Sequence, residues 1–440
     1  MYIGEIFNQW RARRRVGGPG AKGALPPTVY ALGATSMLTD VSTEMVASVL
    51  PVYLLVALRL SPAEYGLVDG LFRGGAAIVA LLLGGLLTYG SGRTKFVAGI
   101  GYAMSMMTKV LLLASSAFFA IAASLVLDRF GKGLRVVPRD AMLAASVPRA
   151  QLGMAFGVHR AMDGLGAVSG PLLAAFVLWQ IPNGYTALFA LSLVVSVAGL
   201  LVFIWFVRHP AGAPDAADEQ VPVPVPRTPL AWRSHLLHAL PPRCRRLLFL
   251  AMPLALFTVS EGMMFAHMQR SFDLAPHLQP LLPVATATVF LLLAVPLGWV
   301  ADRFGAGRVF CTAHLLLLPL YVLLVAAGGE GASLWLVGAL VLLSGGFLAA
   351  TDGVLMAAVS GAVAPASRAL SIALCAAALA LMRLLSSAGF GILWDRVDIG
   401  WAVAIFGAGL SCSLLACWYL KPFEGLAPPE TAPVAPQSLA

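Results

Sequence analysis

The chain has 440 residues, of which 59% are hydrophobic and 11% charged, with a formal net charge of +9. Soluble domains run at about 45–50% apolar and about 25% charged, so one or two globular cores cannot hide this much apolar surface. A mean hydropathy of +0.86 agrees, and lipid is expected as the solvent for most of the chain. The basic balance then belongs in loops on one side of a membrane, and no nucleic-acid partner is expected. Of the five cysteines, Cys311, Cys375, Cys412 and Cys417 sit inside apolar runs and Cys244 in a basic stretch. No pair has metal-ligand spacing, so neither a disulfide framework nor a zinc site is expected, and no resident metal is expected.

Residues 1–27 form a leading segment with Arg11, Arg13, Arg14, Arg15 and Lys22. No short apolar run with a small-residue cleavage site follows, so it does not read as a removed signal. Residues 2–10 can lie on the membrane face as a short amphipathic stretch. A spanning helix needs roughly 20 apolar residues. Runs of that kind give twelve spans: 28–58, 64–88, 95–115, 118–142, 151–179, 184–207, 247–270, 279–301, 308–327, 333–360, 367–394 and 398–420. An open sheet cannot satisfy its backbone in lipid, so the spans are helices.

The fold class is therefore an all-α membrane protein with twelve transmembrane helices in two six-helix bundles, 28–207 and 247–420. A linker, 208–246, separates them, and a tail, 421–440, follows. The linker holds V-P-V-P-V-P at 221–226, an extended and poorly folding stretch, and ends in the basic P-P-R-C-R-R. Loop charge sets the orientation. Arg11, Arg13, Arg14, Arg15, Lys22, Arg93, Lys95, Arg149, Arg208, Arg227, Arg233, Arg243, Arg245, Arg246, Arg303, Arg308, Arg368 and Lys421 fall on the side of the N-terminus. The opposite side holds only Arg59, Arg270 and Arg396. The positive-inside rule then puts both termini in the cytoplasm; the location expected is a bacterial inner membrane.

The halves repeat. G-L-L-T-Y-G-S-G-R-T-K (85–95) follows the second span and G-W-V-A-D-R-F-G-A-G-R (298–308) the eighth. Asp140-A-M-L-A-A closes the fourth span, and Asp352-G-V-L-M-A lies within the tenth. Paired six-helix units of this kind place a substrate site at their interface.

The stretch 298–308, with Asp302, Arg303 and Gly305, resembles the cytoplasmic loop motif of the major facilitator superfamily. Its glycines permit a tight turn, and Asp302 can cap a helix or pair with a neighbouring Arg to latch one conformation. The first-half copy departs from the motif, with Tyr89 in place of Asp and Gly90 in place of Arg. The fourth span carries L-V-L-D-R-F-G-K-G (125–133), which resembles the superfamily motif with a membrane-embedded Arg, here Arg129. The fifth carries Gly157, Gly166, Gly170 and Pro171, similar to the antiporter motif of proton-coupled exporters, with Ala174 and Ala175 replacing its last glycines. Small residues at this spacing let helices approach closely, and Pro171 is expected to kink the span. T-D-V-S-T-E-M (39–45), the stretch 131–140 and F-G-V-H-R-A-M-D (156–163) resemble one bacterial group of these permeases. The resemblance covers essentially the whole chain and implies no particular substrate.

Away from their ends the spans carry the acids Asp40, Glu44, Asp69, Asp128, Asp140, Asp163, Glu261 and Asp352 and the bases Arg73, Lys109, Arg129, Lys132, Arg135, Arg139, Arg160 and Arg383. Each costs at least about 2.5–3.5 kcal/mol near the bilayer centre if it faces lipid, so pairing or a water-filled cavity is expected. Asp40 and Glu44 share a face of the first span, at the depth of Arg129 in the fourth. Either a carboxylate there carries a coupled proton, or the group is a fixed ion pair packing the two spans. Arg135, Arg139, Asp140, His159, Arg160 and Asp163 cluster toward the cytoplasm, either as a charge network closing that side or with Asp163 as a proton site. Asp69 and Arg73, four apart, read as a local ion pair. Glu261 and Arg383 are isolated in sequence, which suits a cross-helix pair or a cavity role.

Met263, Met264, His267 and Met268 would suit copper, but no matching cluster appears in the eighth span. No Walker loop is present, so ATP is not the energy source, and G-F-G-I-L-W (389–394) lacks a strand–turn–helix setting for a nucleotide. No cofactor is expected, and no nucleophile–base set marks an enzyme. The leading expectation is a monomeric secondary transporter that exports a small organic compound, drug or metabolite, against inward proton flow. Alternatives are an uptake symporter or facilitator, a siderophore exporter and, from another class, a membrane enzyme or receptor. The short outer loops disfavour the last.

Overall fold

The computed structural model describes residues 25–87, 94–148, 151–207, 242–327, 334–361, 363 and 365–420. All regular structure among them is helical. The first half contributes α1 (Pro27–Val52), α2 (Pro62–Leu87), α3 (Thr94–Ala114), α4 (Phe118–Ala145), α5 (Leu152–Gln180) and α6 (Tyr185–Phe206). The second half contributes α7 (Pro242–Leu256), α8 (Glu261–Phe272), α9 (Leu281–Phe304), α10 (Ala306–Ala313), α11 (Leu317–Ala326), α12 (Leu334–Thr351), α13 (Val354–Gly361), α14 (Pro365–Arg396) and α15 (Ile399–Leu420). Among the described residues, ten helices are long and apolar enough to cross a bilayer. Neither α2 nor α4 is one of them, and α4 carries Asp128, Arg129, Lys132, Arg135, Arg139 and Asp140. Phe119, Leu292, Val295, Val322, Trp401 and Trp418 are exposed, as expected of side chains facing lipid.

Three expected spans are interrupted. The seventh starts at Pro242 rather than 247 and breaks between α7 and α8, where Ser260 caps α8 by accepting from the Met263 amide at 3.2 Å. Pro253 sits one turn before the break. The ninth changes pitch at a 3₁₀ turn, His314–Leu316. The tenth is not continuous either: Asp352 lies outside the helix, between α12 and α13, beside Gly353 at φ +82°. A side chain at that φ would be strained. The fifth span, by contrast, runs unbroken through Pro171. The first span widens to a π turn, Tyr53–Ala57, just past Pro51, which has no donor for the ladder.

Glycines set the closest crossings. A Cβ on Gly101 would lie 2.7 Å from the Gly131 carbonyl, and one on Gly131 would lie 2.6 Å from the Gly101 carbonyl, so α3 and α4 touch backbone to backbone. Gly166 and Gly170 of α5 meet the Met37 and Val41 carbonyls of α1 in the same way, at 2.5 and 2.6 Å. The motif in the fifth span is therefore a packing surface for α1. Gly157 has nothing within 4 Å and takes no part in it. The halves meet along a third seam, where α2 packs on α14: Cβ atoms on Gly66, Gly70 and Gly74 would lie 2.5, 2.8 and 2.7 Å from the carbonyls of Ser387, Leu384 and Ala380. This seam closes the face of the bundle that carries the 58–61 and 397–398 turns. Buried hydroxyls on α1 are satisfied locally, Thr35 donating to the Ala31 carbonyl at 2.9 Å and Thr39 to the Thr35 carbonyl at 2.7 Å.

Candidate functional site

A cavity of about 430 Å³ opens between the halves, beneath the α2–α14 seam. Its first-half wall comes from α1, α2 and α4, and its second-half wall from the α7–α8 break, α8 to α12 and α14. The ionisable lining is Glu44, Asp69, Arg73, Arg129, Glu261, His314 and Arg383, set among Phe72, Phe265, Phe310 and Phe347. Polar groups converging in a largely apolar concavity are the usual form of a small-molecule site.

Asp69 is the hub of one charged group. Its Oδ1 accepts from Arg73 Nε at 2.9 Å, and its Oδ2 accepts from Ser260 Oγ at 2.6 Å and Ser387 Oγ at 2.7 Å. Arg73 also reaches Glu261, with Nη1 to Oε2 at 3.6 Å. The local Asp69–Arg73 pair is present as the i,i+4 spacing predicts, but it is one edge of a network crossing from α2 to α8 and α14. Gly262 is required here, because a side chain at that position would strike Asp69 and the Tyr65 hydroxyl. His314 donates its Nδ1–H to the Phe310 carbonyl at 2.8 Å; a carbonyl can only accept, which fixes the proton on that nitrogen.

A second group lies within the first half. Lys109 of α3, 1% exposed, contacts Asp128 Oδ1 at 3.3 Å and donates to Thr43 Oγ1 at 3.3 Å. Asp128 Oδ2 accepts from Arg129, whose guanidinium lies 3.7 Å from the centre of the Phe72 ring. The expected pairing of Asp40 or Glu44 with Arg129 is not what the structure shows. Asp40 faces Arg135, six residues further along α4, at 3.8 Å, and Arg129 takes its own chain neighbour. Glu44 lines the cavity with no ion pair within 4 Å among the described residues.

The third group gathers most of the residues assigned to one end of the fourth and fifth spans. Arg135 donates to Ser105 Oγ and lies over Tyr102. Arg139 contacts Asp140 at 2.9 Å, Ser36 Oγ at 3.1 Å and Asp163 at 3.9 Å. His159 is buried with Nε2 unpartnered, as is Asp163 Oδ1. Arg160 is exposed and outside the group. In the second half, Asp302 is exposed and neither caps a helix nor pairs with an Arg among the described residues, while Arg303 lies over Trp299 and Phe304. Gly305, at φ +96°, makes the expected tight turn. Tyr89 and Gly90 lie outside the described residues.

Sequence reasoning singled out Glu44, Arg129, Glu261 and Arg383, all four of which line the cavity. It missed the Lys109–Asp128 pair as a unit, the reach of Asp69, and Ser260, Ser387 and His314 altogether. Ser260 had a readable signal, since a Ser before Glu261 is a helix N-cap pattern.

The description "Major Facilitator Superfamily" matches residues 32–266, more than half of the sequence. The chain belongs to this superfamily. An uncharacterized MFS-type transporter of Methanocaldococcus jannaschii is 34% identical over 187 residues, 42% of this chain and 46% of that one, so the match spans about half the length of that relative. An uncharacterized protein of Mycobacterium tuberculosis is 28% identical over 384 residues, 86% of this chain and 88% of the other. Among solved structures, the nucleoside transporter NupG superposes with a TM-score of 0.72 at 15% identity, covering 90% of this chain and 99% of that one. A POT family transporter in complex with 5-aminolevulinic acid gives 0.72 at 13% identity, covering 92% and 97%. These identities carry the fold. The protein is thus a multi-pass membrane transporter of this superfamily and not an enzyme, and its cavity is the candidate site for a small molecule.

Proposed function

We propose that this transporter is a proton-coupled exporter of a small organic compound, working by alternating access with twelve spans in two bundles, 28–207 and 247–420. The broken spans count once each in this reading. Both termini and the 208–246 linker are cytoplasmic, which makes the α2–α14 seam a closed outer gate above a cavity accessible from the cytoplasm. The observation that carries the reading is the placement of Glu44 and Glu261 on opposite walls of one cavity between the halves. A carboxylate held in a low-dielectric cavity, with guanidinium groups nearby, can take a proton on one side of the membrane and release it on the other. The glycine packing of α5 on α1 beside Glu44 supports the antiporter direction. Asp40 and Asp163, each facing an Arg, serve better as parts of a cytoplasmic charge network with Arg135, Arg139, Asp140 and His159.

The test is transport in proteoliposomes with an imposed pH gradient, using counterflow exchange as the control. Glu44→Gln or Glu261→Gln is expected to retain exchange and lose accumulation against a gradient, because the amide mimics a permanently protonated carboxylate. Full pH-driven accumulation in both variants would remove proton coupling from the cavity. Net flux with the proton gradient, rather than against it, would replace export with uptake symport.

A further inference from the structure

We infer that the substrate carries one cationic and one anionic group on an aromatic or branched apolar body, the cation held by Glu44 and the anion by Arg383. This rests on the reading of the cavity as the transport site.

The charged lining divides into engaged and free groups. Asp69, Arg73 and Glu261 satisfy one another, with Ser260 and Ser387, and Arg129 is held by Asp128. Glu44 and Arg383 remain. Both line the cavity, and neither makes a hydrogen bond or an ion pair within 4 Å among the described residues. They stand on opposite halves, Glu44 on α1 and Arg383 on α14.

Their wider surroundings leave each free to bind. The charged groups around Glu44 are Lys132, Arg129, Asp40 and Asp128, two bases and two acids, none of them within ion-pair distance of it. Arg383 feels Asp352, Arg73 and Glu261. Glu261 is already shared with Arg73, and Asp352 sits beyond ion-pair distance at the α12–α13 break. An unpaired charge in a cavity of low dielectric is costly unless a counter-charge or water meets it. A purely cationic ligand would satisfy Glu44 and leave Arg383 unmet; a purely anionic one would do the reverse. A ligand with both charges meets both walls at once, and the rings of Phe72, Phe265, Phe310 and Phe347 suit an apolar body between its ends.

Four probes on one scaffold separate the charge classes: L-phenylalanine, its amide, its N-acetyl derivative and the N-acetyl amide, which are respectively zwitterion, cation, anion and neutral. Binding to the purified full-length transporter is read by ligand-induced thermal shift at one pH. L-phenylalanine is expected to bind about tenfold more tightly than each singly charged probe, by one extra charge contact, and more tightly again than the neutral N-acetyl amide, which lacks both. Glu44→Gln should lower it to the level of the N-acetyl derivative, and Arg383→Gln to the level of the amide. Glu44→Asp and Arg383→Lys keep the charges and should keep the order, which guards against a variant that loses its fold. A singly charged probe binding as well as the zwitterion, no binding by any of the four, or variants that leave the order unchanged would overturn the inference. Loss of pH-driven flux with this binding order intact would instead sink proton coupling alone.

Discussion

The Lys109–Asp128–Arg129 group and the Asp69–Arg73–Glu261 group are built from the same kinds of side chain, yet their placement differs in two respects. The first lies on α3 and α4 of one half, with Lys109 and Asp128 only 1% and 2% exposed at the side chain. The second draws Asp69 and Arg73 from the first half and Ser260, Glu261 and Ser387 from the second, with Arg73 and Glu261 33% and 25% exposed to the cavity. A group confined to one bundle moves as a rigid part and need never break. A group that bridges two bundles must break whenever the bundles part. Depth follows the same division: Lys109 and Asp128 are sealed from water, with only Arg129 reaching the cavity, whereas Arg73 and Glu261 border it, and water there can replace their lost contact.

The largest effect is expected where the fixed group is damaged. Asp128→Ala leaves Lys109 and Arg129 without their carboxylate, which typically costs about 3–5 kcal/mol when a buried pair loses one member. Little monodisperse protein should survive size-exclusion chromatography, and Lys109→Met combined with Asp128→Asn should recover a part of it. A well-folded Asp128→Ala protein would show that burial of this group is not structural.

Damage to the bridging group should be milder for folding and larger for conformation. Asp69→Ala removes two hydroxyl donors and an Arg from one carboxylate, with hydrogen bonds to a charged group worth about 1.5–3 kcal/mol each. The weight should shift toward states in which the α2–α14 seam is open, read as faster modification of cysteines placed along that seam. Gly70→Ala tests the same seam sterically. Its Cβ would sit 2.8 Å from the Leu384 carbonyl, and overpacking costs about 1–3 kcal/mol only in the closed state, so the direction of shift matches Asp69→Ala. The smallest change in stability is expected for Glu261→Gln. Its contact to Arg73 is long and partly exposed, a kind worth about 0–1 kcal/mol, and melting should move little.

The division between these groups was only half legible in the sequence. The apolar runs and the mix of acids and bases inside them follow from composition and spacing alone, as does the i,i+4 pair Asp69–Arg73. Partner choice does not. The sequence places Arg129 at a depth similar to Asp40 and Glu44, but α1 and α4 are offset so that Asp40 meets Arg135, six residues on, and Arg129 is left to Asp128. The reach of Asp69 depends on the break between α7 and α8, which turns Ser260 toward it, and on glycines that bring α14 within contact. Neither crossing has a local signature. The break at Asp352–Gly353 went unread because the flanking sequence is apolar on both sides.

Asp69 holds the seam closed while Asp128 holds one bundle together. Spin labels on the two sides of the seam, one near the start of α2 and one near the end of α14, measure this directly by electron–electron distance. Asp69→Ala should broaden the distribution and add a longer-distance population, with Lys109→Met/Asp128→Asn leaving the seam distance as in the parent. An unchanged distance in Asp69→Ala, or an equal lengthening in the second variant, would contradict the distinction between a breaking group and a fixed one.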